Sequence, residues 1–102
     1  MYTYTTPTLT LKISGLAEYI ADVDFIRFAI IVGEKKVIKT VQPSEFDTET
    51  ETVIINLTQE DTATLGEGKA SVQGRVKYLN GQVQATKRVF GQMEDIIDRV
   101  VI

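Results

Sequence analysis

Residues 8–14 alternate without a break. Leu9, Leu11 and Ile13 fall on one side, with Thr8, Thr10, Lys12 and Ser14 on the other, the period of a strand with one face buried. Pro7, just ahead of it, has no N–H to give a ladder, so residues 2–6 read as either a short edge segment or a loose arm. Leu16, Tyr19, Ile20 and Val23 then follow at i, i+3, i+4 and i+7, which predicts a turn or two of helix over one end of the core. Residues 24–32 are apolar on both faces (Phe25, Ile26, Phe28, Ala29, Ile30, Ile31, Val32), as expected of a central strand covered on both sides. A turn at 33–36 leads into Val37, Val41 and their alternating neighbours, a second strand that ends before Pro43 and pairs with the first as a hairpin.

Alternation returns at 52–57 with Val53, Ile55 and Leu57 on one face. Thr58 then begins a short helical turn, its hydroxyl capping the first amides and Asp61 answering from the third position. Residues 69–78 and 82–90 flank Asn80-Gly81, a strong short hairpin signal. A two-residue loop sets Tyr78 opposite Val83, Val76 opposite Ala85 and Val72 opposite Val89, with an apolar row broken only at Gly74 and Lys87. The Lys87 stem is then expected to cross the space that Gly74 leaves. The period changes at 92–102, where Met93, Ile96, Ile97, Val100 and Val101 make a stripe at helical spacing with acids early and Arg99 late. The β-branched residues there also fit a strand. The elements together predict an all-β, immunoglobulin-like antiparallel β-sandwich of six or seven strands, a short helical crossover and a candidate C-terminal helix, all in one domain covering 1–102.

With 102 residues, 43% hydrophobic and 25% charged, the chain is long enough for one core. It holds no cysteine and no histidine, which removes disulfides, thiolate chemistry, the commonest general base and the commonest transition-metal ligand. Ser14, Ser44 and Ser71 have no histidine to activate them, and Asp22 with Asp24 lack a pocket to perturb them, so no catalytic residue, cofactor or metal is assigned and an enzyme is not expected. The polar, threonine-rich opening is unlike a signal peptide, and the longest apolar run, 28–32, is too short to span a bilayer, so no membrane association is expected. The net charge of -3 disfavours nucleic acid.

Two features suit contact with another protein. One is a basic stripe, Arg75, Lys77 and Arg88, on the outer face of the last hairpin, fit for an acidic surface. The other is the stripe Met93, Ile96, Ile97, Val100 and Val101, which either meets another chain or folds back onto the domain's own core. Glu45, Asp47, Glu49 and Glu51 around Phe46 form an acidic loop that could cradle calcium, although its spacing matches no calcium loop. With Tyr2, Tyr4 and Tyr19 this loop supports an alternative, a carbohydrate- or ligand-binding module.

The segment 52–90, a strand, a short helical crossover and a hairpin, resembles the last strands of an immunoglobulin-like domain without its cysteine pair and core tryptophan. Tyr4-Thr5-Thr6-Pro7-Thr8, then Leu57-Thr58-Gln59-Glu60-Asp61 and Gly68-Lys69-Ala70-Ser71-Val72-Gln73, are similar to motifs of small immunoglobulin-like proteins of phages and prophages of Gram-positive bacteria. The N-terminal domain of upper baseplate proteins is the particular likeness. The resemblance implies a non-enzymatic assembly module of the virion tail or baseplate, located in the virion or in the host cytoplasm during assembly. Its implied partners are other virion or structural proteins, or further copies of itself. The larger baseplate proteins carry further domains, and the family offers no catalytic residues to transfer.

Overall fold

Period-two patterning produces two antiparallel sheets. The computed structural model describes residues 1–94, 99, 101 and 102. Along the chain the strands are β1 (Thr8–Lys12), β2 (Val23–Val32), β3 (Lys35–Val41), β4 (Phe46–Asp47), β5 (Thr52–Asn56), β6 (Gly68–Tyr78), β7 (Val83–Ala85) and β8 (Val89–Met93), with one α-helix, α1 (Gln59–Leu65), after β5. The smaller sheet runs β1-β5-β4; the larger runs β3-β2-β6, with β7 and β8 both on the far side of β6 as two halves of one interrupted edge. The chain is therefore all-β in two layers, with Ile26, Phe28, Ile30, Val53, Ile55, Leu57 and Val76 buried between the sheets.

The central pair fixes the phase of the larger sheet. β2 opposes β6 with Ile26 facing Val76, Phe28 facing Gly74, Ile30 facing Val72 and Val32 facing Ala70, so these residues form the inward row and their neighbours the outward one. Gly74 is required by its partner. A Cβ there would stand 2.7 Å from Cε1 of the Phe28 ring, and that ring is buried in the core.

The last hairpin departs from the expected register. The loop contains three residues, not two. Gly81 N–H donates to the Tyr78 carbonyl and Tyr78 N–H donates to the Gln82 carbonyl, both at 2.9 Å. Gly81 alone in this loop takes a positive φ, 90°, the geometry of a type I turn closed by a left-handed glycine. One added loop residue moves the pairing by one, so Lys77 faces Val83, Val76 faces Gln84 and Arg75 faces Ala85. Between Ala85 and Val89 three residues stand against two of β6, a bulge that restores the expected pairing of Val72 with Val89. Thr86 fills the irregular step: its N–H donates to the Gly74 carbonyl and its Oγ1 accepts from the Gly74 N–H, each at 2.8 Å. The space at Gly74 is taken by Phe28, and Lys87 is exposed instead of crossing it.

The turn or two of helix expected from Leu16, Tyr19, Ile20 and Val23 is a 3-10 helix, Leu16–Asp22, entered through Gly15 at φ 86°. The Glu51 carboxylate caps it, accepting from Gly15 N–H at 2.6 Å and Ala17 N–H at 3.4 Å. At the chain's beginning, the open choice for residues 2–6 resolves into an edge segment. Tyr2 bridges Glu94 in parallel, Thr3 N–H donates to the Glu94 carbonyl at 2.8 Å, and Glu94 N–H donates to the Met1 carbonyl at 2.7 Å. The C-terminal stripe is not helical where it begins, because Gln92 and Met93 belong to β8 and pair with Lys69 and Gly68. Ile96, Ile97 and Val100 lie outside the described residues.

α1 begins with the capping box expected at Thr58 and Asp61. Lys39, on the inward row of β3, carries its ammonium out to Asp61 at 2.6 Å. Partial burial by itself would push the Asp61 carboxyl up, but the Lys39 ammonium and the Thr58 amide and hydroxyl outweigh it and hold it below the ordinary aspartate value. A depressed carboxyl contributes stability above its unfolded value and loses it as pH falls through the folded one. The urea midpoint difference between the native chain and Asp61→Asn is therefore expected to be full near neutral pH and to shrink only as pH falls below about 3.9, through the lower folded value. A separate series tests the core: Gly74→Ala should lower unfolding free energy by about 1–3 kcal/mol, the usual cost of overpacking, as read by urea denaturation.

A cationic outer face as the candidate interaction site

The same register that hides Phe28 pushes its neighbours outward. Arg27 stands between Thr40 and Arg75, Ala29 between Ile38 and Gln73, and Ile31 between Lys36 and Ser71. The short side chains of Ala29 and Ser71 leave a shallow depression of about 240 Å³, ringed by Arg27, Lys36, Arg75 and Arg88. All four cations are exposed, and among the described residues none takes part in an ion pair. None of the outward residues paired across this sheet is acidic, and the one exposed acid in its strands, Asp24, sits at the β2 bulge beyond Phe25, in a chain whose net charge is -3. Positive charge is thus gathered on one face.

Aromatic rings steady the margins. The Lys69 ammonium lies 5.1 Å from the centre of the Phe90 ring, and that of Lys77 lies 5.5 Å from the centre of the Phe25 ring, both within cation–π range. Exposed Phe90 and Val83 add apolar surface beside the charges. Flat, cationic and partly apolar, the face can meet carboxylates bidentately through its arginines while covering apolar atoms of the same partner.

The sequence reading named Arg75, Lys77 and Arg88, and the fold brings them to this face together. It missed Arg27, Lys36 and Lys69. Arg27 was legible as the single cation in a strand of apolar residues, but its place beside Arg75 depends on the β2–β6 register, which one strand alone does not reveal. The expected neighbours of Arg75 and Lys77 were polar, yet the register shift replaces them with Ala85 and Val83 and turns Gln84 inward, where its Oε1 accepts from the Tyr78 hydroxyl at 3.0 Å.

The other candidates divide. Met93 is buried in the core and cannot serve as a free contact, while Val101 is partly exposed. The chain's end reaches α1: Ile102 N–H donates to Gln59 Oε1 at 2.6 Å, and the Gln59 amide donates back to the Ile102 carbonyl. Three carboxylates of the acidic loop accept from backbone amides. Asp47 Oδ1 accepts from Glu49 N–H at 2.9 Å, Glu45 accepts from Gln42 N–H at 2.8 Å, and Glu51 caps the 3-10 helix Leu16–Asp22. No three Asp, Glu, His or Cys side chains gather as metal ligands among the described residues. Tyr2 donates to Glu94 beside β8, which raises its phenol above the ordinary value, whereas Tyr19 lines a cleft with Tyr78 and Gln84. Among the described residues no helix is long and apolar enough to cross a membrane.

No family model matches the chain, and comparison with curated proteins and with solved structures finds no match to it.

Proposed function

We propose that this chain is an immunoglobulin-like docking module without catalysis of its own, which meets an acidic partner protein across the outer face of its larger sheet as a structural part of a phage or prophage particle. The observation that carries the reading is the set of four exposed cations, Arg27, Lys36, Arg75 and Arg88, with no ion-pair partner among the described residues and no acid among the residues lining the depression they ring. Like charges held side by side repel one another in the free chain, and an acidic partner relieves that repulsion while steering association.

Strand order supports the immunoglobulin-like part. In that fold the sheets run B-E-D and C′-C-F-G, with the first strand beside B or G. The order β1-β5-β4 corresponds to B-E-D and β3-β2-β6-β7/β8 to C′-C-F-G, while Met1 to Thr3 lie parallel beside β8 as a first strand does beside G. The virion part rests on the resemblance of residues 4–8, 57–61 and 68–73 to small phage proteins. It predicts that mass spectrometry recovers the chain from density-banded particles of a host carrying its coding sequence; particles lacking it contradict this part.

The double substitution Arg75→Glu and Arg88→Glu should leave unfolding free energy within about 0.5 kcal/mol, as for exposed positions. The same variant should weaken binding of poly-glutamate at least about tenfold, and raising salt from about 0.05 to 0.5 M should weaken the native chain's binding similarly. Fluorescence anisotropy reads both. Equal binding by the native chain and the variant refutes the docking face.

A further inference from the structure

The sandwich has an open side. Among the described residues β1 has one strand neighbour, β5, and β7 has one, β6, so there each presents a free backbone edge on the same flank of the molecule. Leu9, Leu11 and Ile13, the inward row of β1, are only partly buried although they pack on the core. Val89 faces Val72 on the inward side of the larger sheet yet is 50% exposed. Between these edges runs a cleft of about 490 Å³, with Leu16 and Val76 among its lining residues and Ile13 and Val89 also lining it. Its only charged lining residues are Lys12 and Lys87, both exposed and unpaired among the described residues.

Further along this flank the chain already shows what fills such a seam. Met1 to Thr3 lie beside the end of β8, Tyr2 bridging Glu94, the Met1 ammonium donating to the Gln92 carbonyl at 2.9 Å and Thr3 buried at 2% exposure. It hydrogen-bonds to Gln92 and Glu94, and none of its residues lines the cleft beside β7.

We propose that this seam is a strand-acceptor site for an extended segment of a partner protein, with apolar residues alternating with acidic ones. The free edges supply main-chain hydrogen bonds, and Leu11, Ile13 and Val89 supply the apolar contacts for every second side chain. Lys12 and Lys87 receive carboxylates on the alternate positions, the only charge in the cleft lining and the reason an acidic segment is favoured over a neutral or basic one. The seam is separate from the cationic outer face and engages a partner independently of it.

The test uses the full chain, isotope-labelled, titrated with a soluble peptide of alternating valine and glutamate and followed by NMR. Binding should perturb and protect amides of β1, β7 and β8. Val89→Asp, a half-exposed position, should weaken it at least about tenfold, and Lys12→Glu with Lys87→Glu should weaken it similarly and transfer preference to a valine–lysine peptide. Arg75→Glu with Arg88→Glu should leave it unchanged, which separates this site from the outer face. The proposal is overturned if the peptide fails to bind, if its perturbations map to Arg27 and Arg75, or if the lysine swap does not change peptide preference. A doubled mass for the chain alone that Val89→Asp abolishes also overturns it, since a second copy would then occupy the seam.

Discussion

The register between β2 and β6 governs this molecule. Phe28 sits fully buried opposite position 74, and the contact is possible because that position is glycine, with Phe28 ring atoms occupying the volume a side chain would claim. With that step set, period two leaves no freedom: Ile26, Ile30, Val72 and Val76 point in, and Arg27, Ala29, Ser71, Gln73 and Arg75 point out. A slip of one residue would bury Arg27 and Arg75 without partners, at a cost far above the net stability of a domain this size. The cationic face is thus a consequence of how the core is phased.

The two sheets differ in width, and that difference shapes the rest of the surface. The smaller sheet has three strands where the larger has four positions across, and the interrupted edge of β7 and β8 is unevenly covered: Met93 is buried while Val89, on the same inward row, is half exposed. Val89 therefore lacks a full cover although its pleat directs it inward. The beginning of the chain supplies part of the missing layer by lying beside β8. The cationic face and the incompletely covered edge therefore sit on different sides of one scaffold, the first drawn by charge and the second by an unfilled pleat.

Much of this was legible in the residues. Leu9, Leu11 and Ile13 announced β1, the doubly apolar run from Phe25 announced the central strand, and Thr58 with Asp61 announced the capped helix. The misread parts are those where local chemistry is degenerate. Asn80-Gly81 suits a two-residue turn and also the three-residue turn that forms, because both need a left-handed glycine; only the bulge at Thr86 to Arg88 distinguishes them, and it depends on Gly74 offering its backbone to Thr86. The helical spacing from Met93 onward competed with pairing to Gly68, and at Met93 burial in the sheet won. The candidate face was half visible, since Arg75, Lys77 and Arg88 lie on one hairpin, whereas Arg27 and Lys36 join it only through long-range pairing. The acidic loop looked like a ligand cradle because carboxylates that cap backbone amides and carboxylates that bind ions are the same residue types.

The most direct measurement of the central claim is an NMR map of cross-strand proton contacts between β2 and β6. The account predicts backbone contacts linking Phe28 to Gly74 and Arg27 to Arg75, with the Phe28 ring protons close to both Gly74 α-protons. Contacts linking Phe28 to Gln73 or to Arg75 as its direct cross-strand partner would mean another register, and the cationic face would no longer follow from the core.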